Sequence, residues 1–218
     1  MRASSERPSV EALREAVELY RRLAEHDRRY LPDLAMALNN LGAALRDEGR
    51  PEEALEHLEE ALAIRRELAR RDKRYLPDLA ITLANVAMAR DDAGRASEAV
   101  SAYEEAASAF RELAERDERF LPHLADVLSR LGLALVAEGR MEEAAERFRE
   151  AVSAYRRLAE ISDAYTADLA RSLTNLGTAL LRAGRAGKSV EYFAEAVDLF
   201  RRLGRSALPQ LATALHNM

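Results

Sequence analysis

Tyr30-Leu31-Pro32-Asp33-Leu34-Ala35 returns as Tyr75-Leu76-Pro77-Asp78-Leu79-Ala80, as Phe120-Leu121-Pro122-His123-Leu124-Ala125 and as Tyr165-Thr166-Ala167-Asp168-Leu169-Ala170. The period is 45 residues each time (75−30, 120−75, 165−120). Aligning residues 30–74 on 75–119 gives 24 identities in 45 positions, which marks a duplication rather than shared composition. A fifth start, Ala207-Leu208-Pro209-Gln210-Leu211-Ala212, follows after only 42 residues (207−165).

Inside one period, Leu34, Leu38, Leu41 and Leu45 fall on one face of a helix, here helix A, and Gly49-Arg50 interrupts the stripe. A second, longer stripe, helix B, runs through Ala54, Leu55, Leu58, Ala61, Leu62, Leu68 and Ala69. Gly49, Gly94, Gly139 and Gly184 form one column at the end of helix A, where a left-handed residue closes a helix at least steric cost. Pro32, Pro77, Pro122 and Pro209 stand at its start, where a missing amide hydrogen costs nothing. Neither helix buries its stripe alone, so stacked hairpins are expected. The predicted fold is all-α, an alpha-alpha superhelix, that is, a solenoid of antiparallel helix hairpins. Its expected units are an N-terminal half repeat holding helix B only (1–29), four repeats (30–74, 75–119, 120–164, 165–206) and a truncated helix A of a fifth repeat (207–218).

Composition narrows the function classes. Charged residues make up 33% of the chain and the net charge is −5, so no basic field exists to neutralise a run of phosphates and nucleic acid is excluded as an expected partner. Cysteine is absent, which removes disulfides, thiolate metal sites and thiol nucleophiles together. Met1-Arg2-Ala3-Ser4-Ser5-Glu6-Arg7-Pro8 leads into an amphipathic segment rather than an apolar signal core. No stretch reads as apolar for long enough to span a membrane, and a soluble, cytoplasmic chain is expected.

The pattern resembles the tetratricopeptide repeat family over nearly the whole chain. Leu38, Leu41-Gly42, Leu45, Gly49, Ala54, Leu58 and Ala61 match it in the first repeat, and Leu128, Leu131-Gly132, Leu135, Gly139, Ala144, Phe148 and Ala151 in the third. Ala87 for the small Gly, Arg90 for a large apolar residue and Ser189 for Ala depart from it. The long helix B and the Pro-Asp start resemble kinesin light chain-type repeats and the arrays attached to bacterial NB-ARC-type ATPases. A finished array ends in polar capping helices. This one opens on an unpaired helix B and stops inside a helix A. Its ends are therefore expected to continue into a longer array or to meet something, a second copy included.

The resemblance implies a protein or peptide ligand held in a concave groove lined by the A helices. The candidate groove residues are Asn39, Asn40, Asn85, Met88, Arg130, Arg171, Asn175 and Arg182. An amide offers donor and acceptor to an extended backbone, and it equally suits a bond between neighbouring A helices, so both readings stand. The terminal-carboxylate clamp of co-chaperones is not matched, because only Asn85 and Arg130 fall where it needs them. Gly187-Lys188-Ser189 lacks the preceding Gly and strand of a phosphate loop. His26, His57, His123 and His216 share no ligand spacing. No catalytic residue, metal or cofactor is expected. Two aromatic columns remain. Tyr30, Tyr75, Phe120 and Tyr165 read as the plug between repeats. Tyr20, Arg65, Phe110, Tyr155 and Phe200 read as packing against the next hairpin, with an exposed convex stripe as the alternative.

Overall fold

The structure, a computed structural model, describes residues 8–218. The first seven residues, which include the start of the expected half repeat 1–29, lie outside the described residues. Among the described residues ten α-helices run in chain order: α1 Val10–His26, α2 Leu31–Asp47, α3 Pro51–Arg71, α4 Leu76–Asp92, α5 Ala96–Arg116, α6 Leu121–Ala137, α7 Met141–Ile161, α8 Thr166–Arg182, α9 Ala186–Leu203 and α10 Leu208–Asn217. The fold is all-α, with no strand among the described residues. Even-numbered helices are the A helices and odd-numbered ones the B helices; α1 to α4 pack in succession in the first unit and α6 to α10 in the second. The chain divides into two compact units, residues up to Ala109 and residues from Phe110 onward.

Local chemistry sets the helix ends. Asp27, Asp72, Asp117 and Ser162 each accept a hydrogen bond from the backbone N–H two residues on, which forms the 3-10 turn before the next A helix. The side chains of Arg29, Arg74 and Arg119 donate back to those three carboxylates and hold them below the usual carboxylate range. At the other end of helix A, Gly49 and Gly139 have φ of 75° and 79°, a conformation that a Cβ would strain. Ser9 caps α1 through Ala12 N–H, and the face carrying Val10, Leu13 and Val17 is buried, as a helix B should be.

In three of the hairpins helix B packs directly over a glycine of helix A. A Cβ on Gly132 would stand 2.5 Å from the Phe148 ring, and one on Gly177 would stand 2.7 Å from Phe193. Gly42 lies in the same way beneath Leu58. The plug of each hairpin is therefore the column Leu58, Tyr103, Phe148 and Phe193, all fully buried. Tyr30, Tyr75, Phe120 and Tyr165, expected as the plug between repeats, are less enclosed than this column. They occupy the 3-10 turns at the mouth of helix A and are half-buried, Tyr30 being 37% exposed.

Two departures from the repeat pattern are resolved by polar contacts. Arg90 donates to Glu59 Oε1 at 3.1 Å and to the Glu98 carbonyl at 3.3 Å, so its charge is met where an apolar residue would have packed. Ser189, which is buried, donates to the Ala186 carbonyl at 2.7 Å. Successive B helices are also laced by Arg–Glu pairs 39 residues apart. In the first unit these are Arg21–Glu60 at 2.8 Å and Arg66–Glu105 at 2.6 Å. In the second they are Arg111–Glu150 at 2.8 Å and Arg156–Glu195 at 2.6 Å. All are partly solvated, so each contributes about 0.2–1 kcal/mol and none dominates.

One expectation is corrected. Glu118–Ala137, with a mean hydropathy of 1.4, is long and apolar enough to cross a membrane by length and composition. Half of it is buried inside the fold. Leu124, Leu128, Leu131 and Leu135 of α6 are covered as α6 packs on α7 and α8, so the run serves as a core helix of the second unit.

Gly132→Ala should lower unfolding free energy by about 1–3 kcal/mol in urea denaturation, because the new Cβ would stand 2.5 Å from the buried Phe148 ring. Ala87→Gly should cost about 1 kcal/mol through helix propensity alone. An unchanged midpoint for Gly132→Ala would show that the hairpin can open at no cost.

Candidate functional site

The exposed faces of the A helices differ between the two units. In the first unit, Met36 of α2 and Ile81 of α4 are 46% and 38% exposed, which gives this face an apolar strip. Asn85 Nδ2 donates to Asn39 Oδ1 at 2.9 Å, so these two amides form a rung between α2 and α4. The helix-to-helix reading thus holds for that pair, while Asn40 stays exposed. The bond joins Asn85 to Asn39 and not to Asn40, its equivalent one period earlier (85−40 = 45). Met88 Sδ lies 3.3 Å from Arg46 Nη1, and Arg46 also meets Asp47 and Asp92 at 3.3 and 3.5 Å.

Beneath this face lies Arg65 of α3, only 5% exposed. Its Nη1 donates to Asp78 Oδ2 at 2.9 Å. Burial pulls the guanidinium below the usual arginine range, and the Asp78, Tyr75 and Asp33 side chains oppose that shift.

The second unit holds a cavity of about 320 Å³ between α6 and α8, floored by Tyr155 of α7. Arg130, Arg171 and Asn175, three of the predicted residues, line it together, with Asp126, Ser129, Asp168 and Ser172 completing its polar wall. Arg130 Nε pairs with Asp126 Oδ2 at 2.9 Å, and Arg171 pairs with Asp168. Ser129 Oγ and Ser172 Oγ are 3.3 Å apart, a second contact between A helices. The Tyr155 hydroxyl is hydrogen-bonded with Ser129 and is pushed up to about 12, by burial first and then by Asp126 and Asp168. A cavity of about 330 Å³ between α8 and α10, with Phe200 and Gln210 in its wall, shares Arg171 with the first. Arg182 is exposed in the last turn of α8 and lines neither.

The residues that sequence reasoning missed are Tyr155, Asp168, Ser172 and Phe200. The signal was present in the column Tyr20, Arg65, Phe110, Tyr155 and Phe200. Its last four members are buried, so the exposed convex stripe is ruled out. They pack under the A helices. Arg65 bonds Asp78, Phe110 stacks on His123 with centroids 5.3 Å apart, and Tyr155 lies by Asp168, each pair 13 residues apart (78−65, 123−110, 168−155). Among the described residues, no group of three or more His, Asp or Glu side chains is arranged to hold a metal ion.

Sequence profiles described as tetratricopeptide repeat match residues 9–67, 33–112 and 123–199, and a second such profile matches 81–159. No curated protein sequence matches the chain. Among solved structures, the kinesin light chain-type nearly identical TPR-like repeats of Podosopora anserina are 20% identical and align over 89% of this chain and 90% of theirs, with a TM-score of 0.64. MamA protein is 18% identical over 87% of this chain and 84% of its own, with a TM-score of 0.58. The Rap conjugation gene regulator of the plasmid pLS20, solved in complex with the Phr* peptide, is 16% identical, covering 90% of this chain and 50% of that one, with a TM-score of 0.54.

Asp78→Asn should cost about 2 kcal/mol in chemical denaturation, since it leaves the buried Arg65 guanidinium short of its counter-charge. The double variant Arg65→Met with Asp78→Asn should recover most of that loss. If the double variant proves less stable than Asp78→Asn, the pair is not what makes the single change costly.

Proposed function

The chain belongs to the tetratricopeptide repeat family, a non-catalytic scaffold for protein–protein interaction, and from that premise we propose that the exposed faces of its A helices hold an extended peptide segment of a partner protein. One observation carries this reading: Arg130, Arg171 and Asn175, from two successive A helices, converge on a single cavity that sets polar side chains beside the apolar surface of Leu133 and Tyr155. Hydroxyl, amide and guanidinium groups at that spacing offer donors and acceptors to a backbone that no secondary structure of its own has satisfied. In the first unit, exposed Asn40 beside Met36 and Ile81 supplies an amide next to an apolar strip, a combination suited to one side chain and its adjoining peptide bond. The pLS20 Rap regulator, similar in fold, is one case of such a helical array with a peptide bound.

Self-association through the ends is a second reading, favoured by exposed apolar side chains there. Leu19 and Leu23 of α1 are 53% and 42% exposed, and Leu208 and Leu215 of α10 are 55% and 47% exposed. Sedimentation that stays monomeric at high concentration would remove it.

A random peptide library panned on the chain tests the first reading. Selected peptides should bind Asn40→Ala, or the double variant Arg130→Ala with Asn175→Ala, at least about ten-fold more weakly, that is by roughly 1.4 kcal/mol. Circular dichroism should show both variants as helical as the parent. Peptides that bind all three chains equally would move recognition away from these faces.

A further inference from the structure

The first unit contains an internal template for what the second unit's cavity lacks. At position 65 the buried side chain is an arginine whose guanidinium bonds Asp78 and feels the charge of Asp33. Two periods later (155−65 and 168−78, both 90) the aspartate is kept as Asp168, but the arginine is replaced by Tyr155. Tyrosine brings no positive charge. A second carboxylate, Asp126, faces the same floor from α6, and between them the cavity of about 320 Å³ is left open.

The electrostatics of the floor follow from the same groups. Asp126 and Asp168 both line the cavity and both raise the Tyr155 hydroxyl, more than Arg171 lowers it, so two carboxylates face the floor from successive A helices. The cavity's arginines meet their aspartates in exposed intrahelical pairs, with Arg130 44% and Arg171 62% exposed, and such pairs exchange partners at little cost. A carboxylate also accepts hydrogen bonds at both of its oxygens, so each can serve a second donor.

We propose that the second unit's cavity receives the guanidinium of an arginine from a partner segment, seated between Asp126 and Asp168 above Tyr155, in the role that Arg65 fills from within the chain in the first unit. This rests on the reading that the exposed A-helix faces hold a peptide, and it names the side chain that one of those faces selects.

Titrating the isotope-labelled chain with acetyl-Ala-Arg-Ala-amide, and with the same peptide carrying neutral citrulline or glutamate in place of arginine, tests it. The arginine peptide should move the amide signals of Ser129, Ser172 and Asn175 and bind at least ten-fold more tightly than either analogue. Tyr155→Arg should place the chain's own guanidinium in the cavity and abolish that binding while the melting temperature is kept. Asp126→Asn with Asp168→Asn should weaken it ten-fold or more, and this variant carries the test if Tyr155→Arg does not fold. Equal binding of the citrulline peptide, tighter binding of the glutamate peptide, or no arginine binding at millimolar concentration would overturn the proposal. If library peptides are still lost from the A-face variants in that case, peptide holding stands and only the arginine assignment falls.

Discussion

The close approach of helix A to helix B at a residue without a side chain is the constraint on which three of the four hairpins depend, the second keeping Ala87 at that position. With Gly42, Gly132 or Gly177 beneath Leu58, Phe148 or Phe193, the two backbones come near enough for the larger side chain to be wholly enclosed. That contact fixes which face of helix A turns inward. The opposite face is then left to solvent, and its residues are freed from packing. Asn40, Arg130 and Arg171 are exposed for that reason.

A second layer of contacts joins one hairpin to the next, and there the chemistry varies while the spacing does not. Thirteen residues separate Arg65 from Asp78, Phe110 from His123 and Tyr155 from Asp168, yet the first pair is ionic, the second a ring stack at 16° between planes, and the third a neutral hydroxyl beside a carboxylate. A buried charge is tolerated at this position only where the following helix supplies its counter-charge. The irregular Arg65, which stands among aromatic residues in its column, is explained by Asp78.

The fold was legible because its signals are local and repeated. Gly49 ends a helix through its own backbone, Pro32 starts one through its missing hydrogen, and the leucine stripes need only helical geometry. The candidate site was half legible. Exposure of Asn40, Arg130 and Arg171 follows from being opposite the buried stripe, but the Asn39–Asn85 bond depends on how α4 lies across α2, which no single-helix pattern encodes. Tyr155 and Phe200 were placed on the correct helices and read as packing. That they also floor cavities between A helices depends on the gap between two neighbours, a tertiary quantity. The run Glu118–Ala137 was passed over in the sequence, although a helix covered on two sides can reach the length and composition of a membrane span.

The Arg–Glu lacing of the B helices and the thirteen-residue pairs have opposite consequences for how such a chain can change over generations. Because Arg21, Arg66, Arg111 and Arg156 each find a glutamate 39 residues on, an in-frame copy of one period arrives with both the acceptor its predecessor needs and the donor its successor needs. Growth by unequal recombination is therefore cheap on that surface. Reordering is not. Moving the third period directly behind the first would set Arg65 against His123 and strand a buried cation, so the modules, alike in outline, carry a built-in grammar of succession.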